Sequence, residues 1–222
     1  MQIAIGSVLG FCLGAGVWLL AGWFVARASA PSPPGTSEAL PPPGSHQHLL
    51  SLPCLLTAVT VALWGAYVGW RSAHPATLVV GLAFTALLVT LGLVDLQVRR
   101  LPNALLLALL GLGIVQVLWS GQPTLSAAGL GLLVGGGLFF LLSLLRRGAM
   151  GAGDAKFAAV LGAFLGYPLI LPALLFGALA GGVAALVLIA TRRAGRKDYM
   201  AYGPYLALGA WFVWMRAAGV WS

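Results

Sequence analysis

Apolar residues in this chain fall into long blocks, while prolines, polar residues and charges gather in the joints between them. A helix needs ~20 apolar residues to cross the hydrocarbon core of a bilayer. On that measure the pattern predicts spans at about 3–25, 51–70, 77–95, 103–119, 125–145, 155–168, 169–190 and 203–220. Eight crossings is the count. The sixth block is short and runs into Pro168 and Pro172. A tilted, partly submerged or re-entrant helix there gives a seven-crossing alternative. Residues 1–27 form a retained N-terminal span and not a signal peptide, because the block is long, lacks a basic start and has Arg27 after it. Residues 28–50 are a linker rich in Pro, Ser and Gly that has too little apolar surface to fold alone. Residues 51–222 form the multi-span domain.

Composition agrees with an all-α, polytopic transmembrane bundle. The chain is 60% hydrophobic and 7% charged, with a mean hydropathy of +1.00, which excludes an ordinary soluble domain. Its 31 glycines suit helices that approach closely in lipid. A net charge of +8 would point to nucleic acid in a soluble protein, but here the basic residues sit at the ends of apolar blocks and set topology, so no nucleic-acid partner is expected. Cys12 and Cys54 lie in separate apolar blocks and form neither a disulfide framework nor a zinc site.

With eight spans and the N-terminus outside, one side of the membrane receives Arg27, Arg99, Arg100, Arg146, Arg147, Lys156, Arg192, Arg193, Arg196 and Lys197. These are ten of the 12 basic residues, and Arg71 and Arg216 fall on the other side. The positive-inside rule makes the richer side cytoplasmic. Asp95, closing the third span, and Asp154, opening the sixth, both fall on that side.

These two are half of the four acidic residues in the chain; Glu38 and Asp198 lie in polar joints. An acid at the edge of a span is costly, ~2.5 kcal/mol or more at the centre of a helix, and so marks a candidate site. Asp95 is placed at a helix C-terminus, where the dipole disfavours a carboxylate although Arg99 and Arg100 oppose that effect. Asp154 follows Gly151-Ala152-Gly153 and is expected to be an N-cap, where the dipole favours the charged form. A carboxylate to activate water and a carboxylic acid to protonate the carbonyl and leaving amine are what peptide hydrolysis requires. Gly151 and Gly153 would admit a substrate backbone and permit positive φ. Lys156 is a candidate for tuning charge or touching substrate. The rival explanation for either acid is a solvated loop residue or a simple helix cap.

The segment GAGDAKF at 151–157 resembles the GxGD motif of polytopic aspartyl peptidases. Asp95 seven residues before Pro102-Asn103, Lys156, and YGPYLALGA at 202–210 are together similar to the type IV prepilin peptidases over roughly residues 77–213. The resemblance implies a helical bundle with its active site near the cytoplasmic face of the bacterial cytoplasmic membrane. It implies Asp95 and Asp154 as the catalytic dyad, prepilin or pseudopilin-like substrates that lose a short basic leader, and no metal or organic cofactor. Gly151, Gly153, Lys156, Pro102, Asn103, Gly203 and Pro204 take supporting places. Many members carry a CxxC...CxxC zinc segment after the first span and also methylate the new N-terminus. Here the Pro-rich linker stands in that position, so the zinc subdomain is absent and its loss weighs against methylation. GSVLG at 6–10 is similar to the first-span motif of the longer enzymes.

Other features carry less. His46-Gln47-His48 lacks a third ligand in a flexible linker. His74 is a loop residue. The basic run from Arg192 to Lys197 reads as a topology anchor that also suits acidic lipid headgroups. Trp70, Trp119 and Trp221 suit interfacial belts, and Trp211 and Trp214 suit packing or lipid contact. Two rival functions remain: a proton-coupled transporter using the two aspartates, and a catalytically idle assembly component. A transport pathway favours acids near the midplane, whereas both of these lie at span ends on one side.

Overall fold

A computed structural model describes residues 22, 67, 75–99, 101–145, 151–191 and 201–219. The first span, most of the second, the linker, both histidine features, both cysteines and the 192–197 basic run lie outside them. The described residues form six helices: α1 (Pro75–Val98), α2 (Asn103–Ser120), α3 (Leu125–Leu145), α4 (Ala152–Leu165), α5 (Ile170–Ala190) and α6 (Gly203–Ala217). Four of them, α1, α2, α3 and α5, are long and apolar enough to cross a membrane. The chain is a membrane protein with an all-helical described part.

The predicted blocks and the observed helices correspond one to one over this region, with shifts at the ends. α1 continues three residues past Asp95, to Val98, and closes on Arg99 with φ 53. The sixth block is a helix of 14 residues that begins earlier than expected. At ~1.5 Å per residue it reaches roughly 21 Å, well short of a ~30 Å hydrocarbon core. It stops at Gly166, whose φ of 75 suits glycine and turns the chain out of the helix.

This short helix occupies the centre, with α2, α3, α5 and α6 packed around it and α1 completing the core beside α2 and α6. Its contact with α3 is backbone on backbone. A Cβ on Gly131 would overlap the carbonyl oxygen of Gly162, one on Gly162 would overlap that of Gly131, and one on Gly135 would overlap that of Ala158. The four residues are two small-xxx-small pairs, Gly131/Gly135 and Ala158/Gly162, facing each other. In lipid, where apolar burial alone gives little drive for helices to associate, this close approach supplies van der Waals contact. α5 and α6 repeat the device, since a Cβ on Gly209 would overlap the carbonyl oxygen of Ala173.

Aromatic rings fill the space between α1, α4 and α6. Phe84 stacks on Phe164 with centroids 4.1 Å apart and 8° between planes, and Trp214 tilts against Phe84 at 5.7 Å. Trp214 is seated over Gly81, where a Cβ would come within 2.6 Å of the indole. Polar groups in α1 are satisfied locally, as an apolar environment demands: Thr85 and Thr90 hydroxyls donate to the Gly81 and Ala86 carbonyls at 2.7 Å, and Trp211 Nε1 donates to Thr85 Oγ1 at 3.2 Å. Trp211 and Trp214 are thus packing residues. Trp119, at the end of α2, is 76% exposed.

Gly131→Ala should lower stability by about 1–3 kcal/mol, the usual range for overpacking. Gly137→Ala, on the same helix with nothing within 4 Å of the new methyl, should be neutral or slightly stabilising. Thermal unfolding of the two variants in one detergent distinguishes them.

Candidate active site

Four helix ends meet at one end of the bundle: the last turn of α1 and the first turns of α2, α4 and α6. Asp95 comes from the α1 turn and is buried, with 5% of its surface exposed. Its Oδ2 accepts a hydrogen bond from the backbone N–H of Gly203 at 2.9 Å. Gly203 is the first residue of α6, so the amide is one of those that a helix start leaves without an intrahelical partner. Only glycine fits there without displacement, because a Cβ would lie 2.7 Å from Asp95 Oδ2. Pro204 follows at the N-terminus of α6, where a missing N–H costs nothing, and a Cβ on Gly92 of α1 would lie 3.6 Å from it.

Asp154 lies in the first turn of α4 and is half-buried. It is not the N-cap: Gly151 holds that position with φ −72 and ψ 143, which makes Asp154 the third helical residue. The helix starts this early because Ala152 and Gly153 adopt helical conformation and the Asp154 N–H bonds the Gly151 carbonyl at 3.0 Å. Positive φ is also not the reason for the glycines, since neither Gly151 nor Gly153 has it. Nor is space the reason at Gly153, where an added Cβ would lie 3.6 Å from Leu101, an ordinary contact.

At Asp154 the electrostatics run against the expectation from the helix dipole. Burial, followed by the charge of nearby Asp95, pushes the Asp154 carboxyl up to about 6, against the Gly151 backbone hydrogen bond that favours ionisation. Loss of water outweighs the helix start. The charge of Asp95 thus reaches Asp154 across the end of the bundle.

Of the supporting residues, Lys156 and Asn103 meet: Lys156 Nζ donates to Asn103 Oδ1 at 3.5 Å, a long bond joining the first turns of α4 and α2 at the surface. Pro102 is the N-cap of α2, one residue before the helix, and its carbonyl accepts from the Leu105 and Leu106 amides at 3.1 and 3.3 Å. Tyr202 belongs to the 202–210 segment that the sequence marks as supporting, although only Gly203 and Pro204 of it are singled out there. It precedes Gly203, and burial together with the charge of Asp154 pushes its phenol up. Its position directly before a Gly-Pro helix start was the available signal. A cavity of about 540 Å³ lies at the opposite end of the bundle, lined by Thr77, Gln116, Trp119, Tyr167 and Trp214 among others. It takes no part in this site, since Thr77 and Asp95 stand at opposite ends of α1.

Residues 82–186, which include both aspartates, match the model of the type IV leader peptidase family. The chain is similar to the prepilin leader peptidase/N-methyltransferase of Neisseria gonorrhoeae, 34% identical over 173 residues, covering 75% of this chain and 58% of the relative. Its counterparts from Xanthomonas campestris pv. campestris and Pseudomonas aeruginosa are each 30% identical, over 72% and 70% of this chain and 56% of each relative. The chain therefore spans somewhat more than half the length of these curated relatives. No solved structure matches it. Over residues 82–186 the chain carries the domain of the type IV leader peptidase family.

Proposed function

We propose that this protein is a membrane aspartyl endopeptidase that removes the short basic leader from prepilin or pseudopilin-like precursors at the cytoplasmic face of the bacterial cytoplasmic membrane. The observation that carries the reading is a pair of electrostatically coupled carboxyls, Asp95 and Asp154, supplied by two helix ends in a chain that carries this family's domain. The cytoplasmic orientation rests on the distribution of Arg and Lys.

The geometry divides the labour. A backbone N–H can only donate, so Asp95 Oδ2 is committed as an acceptor and its other oxygen is left to take a proton from water. The pair shares one proton, assigned to Asp154, whose carboxyl burial pushes up to about 6. Water oxygen bonds to the scissile carbonyl carbon while one water proton passes to Asp95 and the Asp154 proton passes to the carbonyl oxygen. The resulting diol collapses as the C–N bond breaks, the amine nitrogen taking the proton from Asp95 and one hydroxyl proton returning to Asp154. No metal or organic cofactor is required by this sequence of steps. The two acids act as a unit, so neither alone retains the chemistry.

Co-expression with a prepilin tests the reading: Asp95→Asn and Asp154→Asn should each abolish leader removal, read by mass spectrometry, with membrane-inserted protein at wild-type level. Continued cleavage by either variant overturns the dyad. The mature N-terminus should lack the mass of a methyl group, in keeping with the missing cysteine segment.

Gly203→Ala pushes a methyl against the Asp95 carboxylate and should lower kcat/KM roughly 10–100-fold, the worth of a hydrogen bond to a charged group at ~1.5–3 kcal/mol. A peptide cleavage assay on protein of confirmed fold measures it.

Asp154 also gives a pH signature. Its folded pKa, about 6, lies above its ordinary 3.8, so its favourable contribution is complete below the lower value and is lost as pH rises through the upper one. Asp154→Asn cannot ionise. Its melting temperature relative to wild type should therefore rise between about pH 4 and pH 7, and a constant difference across that window would refute the assignment.

A further inference from the structure

Addition of water to a peptide carbonyl leaves two oxygens on one carbon, and stabilising both needs more donors than a single proton shared between two carboxyls. Two of the donors around this site already have partners. The Gly203 amide is held by Asp95 and the Lys156 ammonium lies against Asn103. Tyr202 is different: among the described residues its hydroxyl makes no hydrogen bond.

Its ring is held from three sides. Phe139 of α3 tilts against it at 6.1 Å, Tyr205 of α6 at 6.4 Å, and its Cε2 would lie 3.0 Å from a Cβ on Gly181 of α5. The backbone is fixed as well, because the Tyr202 carbonyl accepts from the Tyr205 and Leu206 amides at 3.2 Å each. The next residue in the chain carries the amide that binds Asp95. A phenol with an immobilised ring, one free polar atom and a fixed backbone link to a carboxyl is a preorganised donor.

We propose that Tyr202 is a further catalytic residue of this site, its hydroxyl donating a hydrogen bond to the carbonyl oxygen of the scissile peptide and to the tetrahedral species that follows. The inference rests on the peptidase reading above. The phenol keeps its proton throughout; burial and the charge of Asp154 hold it in the protonated form. No bond to Tyr202 forms or breaks. Tyr202→Phe keeps the ring that packs on Phe139, Tyr205 and α5 and deletes only the donor.

The test uses the full chain in detergent and a peptide with a short basic leader joined to an apolar stretch. Wild type, Asp95→Asn, Asp154→Asn and Tyr202→Phe are compared for kcat, KM and melting temperature. Tyr202→Phe should lose about 100-fold in kcat, the typical effect of deleting one such donor, with KM and melting temperature unchanged. Unchanged kcat overturns the proposal, as does a rise in KM alone, which would mark a ground-state contact, or a kcat loss that follows a fall in melting temperature. The aspartate variants keep the two readings apart. If they are inactive while Tyr202→Phe cleaves at the wild-type rate, the peptidase reading stands and the Tyr202 role fails; if they cleave normally, the dyad itself fails.

Discussion

A carboxylate taken out of water must find donors elsewhere, and for Asp95 that donor is the Gly203 amide, 2.9 Å away. The bond ties the last turn of α1 to the first turn of α6, elements 108 residues apart in the chain. It satisfies two groups that burial would otherwise penalise, a charged acceptor and a helix-start N–H. It also fixes where Asp95 can point, and hence which of its oxygens remains for chemistry. The positions of Gly203, Pro204 and Tyr202 all follow from it.

That contact exists only because the helices come close. Gly81 makes room for Trp214, and the glycines of α3 and α4 bring two backbones into direct contact. Small residues therefore act twice here, first as the packing surface of a bundle that gains little from apolar burial in lipid, and then as the means of bringing polar helix ends together. α4 is the clearest case. It is too short to span the hydrocarbon core by length, yet it is the helix that carries Asp154 and touches every other described helix.

Placing both acids at the bundle end suits proteolysis better than transport. Four helix ends bring a donor, two carboxyls and a surface Lys–Asn pair to one location, whereas a translocation path requires ionisable groups deeper in the membrane. The site is built from helix termini, where unpaired backbone groups are available without breaking a span.

Much of this was legible in the sequence. Hydropathy located every described helix to within a few residues, because ~20-residue apolar blocks admit few other structures in a bilayer. Scarcity of acids singled out Asp95 and Asp154, and charge placement put them on one side. Local rules failed at finer scale: Asp154 read as an N-cap and as the charged partner, yet it is the third helical residue and its carboxyl is pushed up to about 6. Helix-dipole reasoning sees only neighbours in the chain, while the loss of water around a carboxyl depends on what packs against it from other helices. The sequence by itself determined the positions of the described helices and singled out the two acids. Tertiary structure alone decided that the Asp154 carboxyl is pushed up, that Gly203 supplies the partner of Asp95, and that Tyr202 precedes that amide, because burial and proximity arise only when distant helices meet.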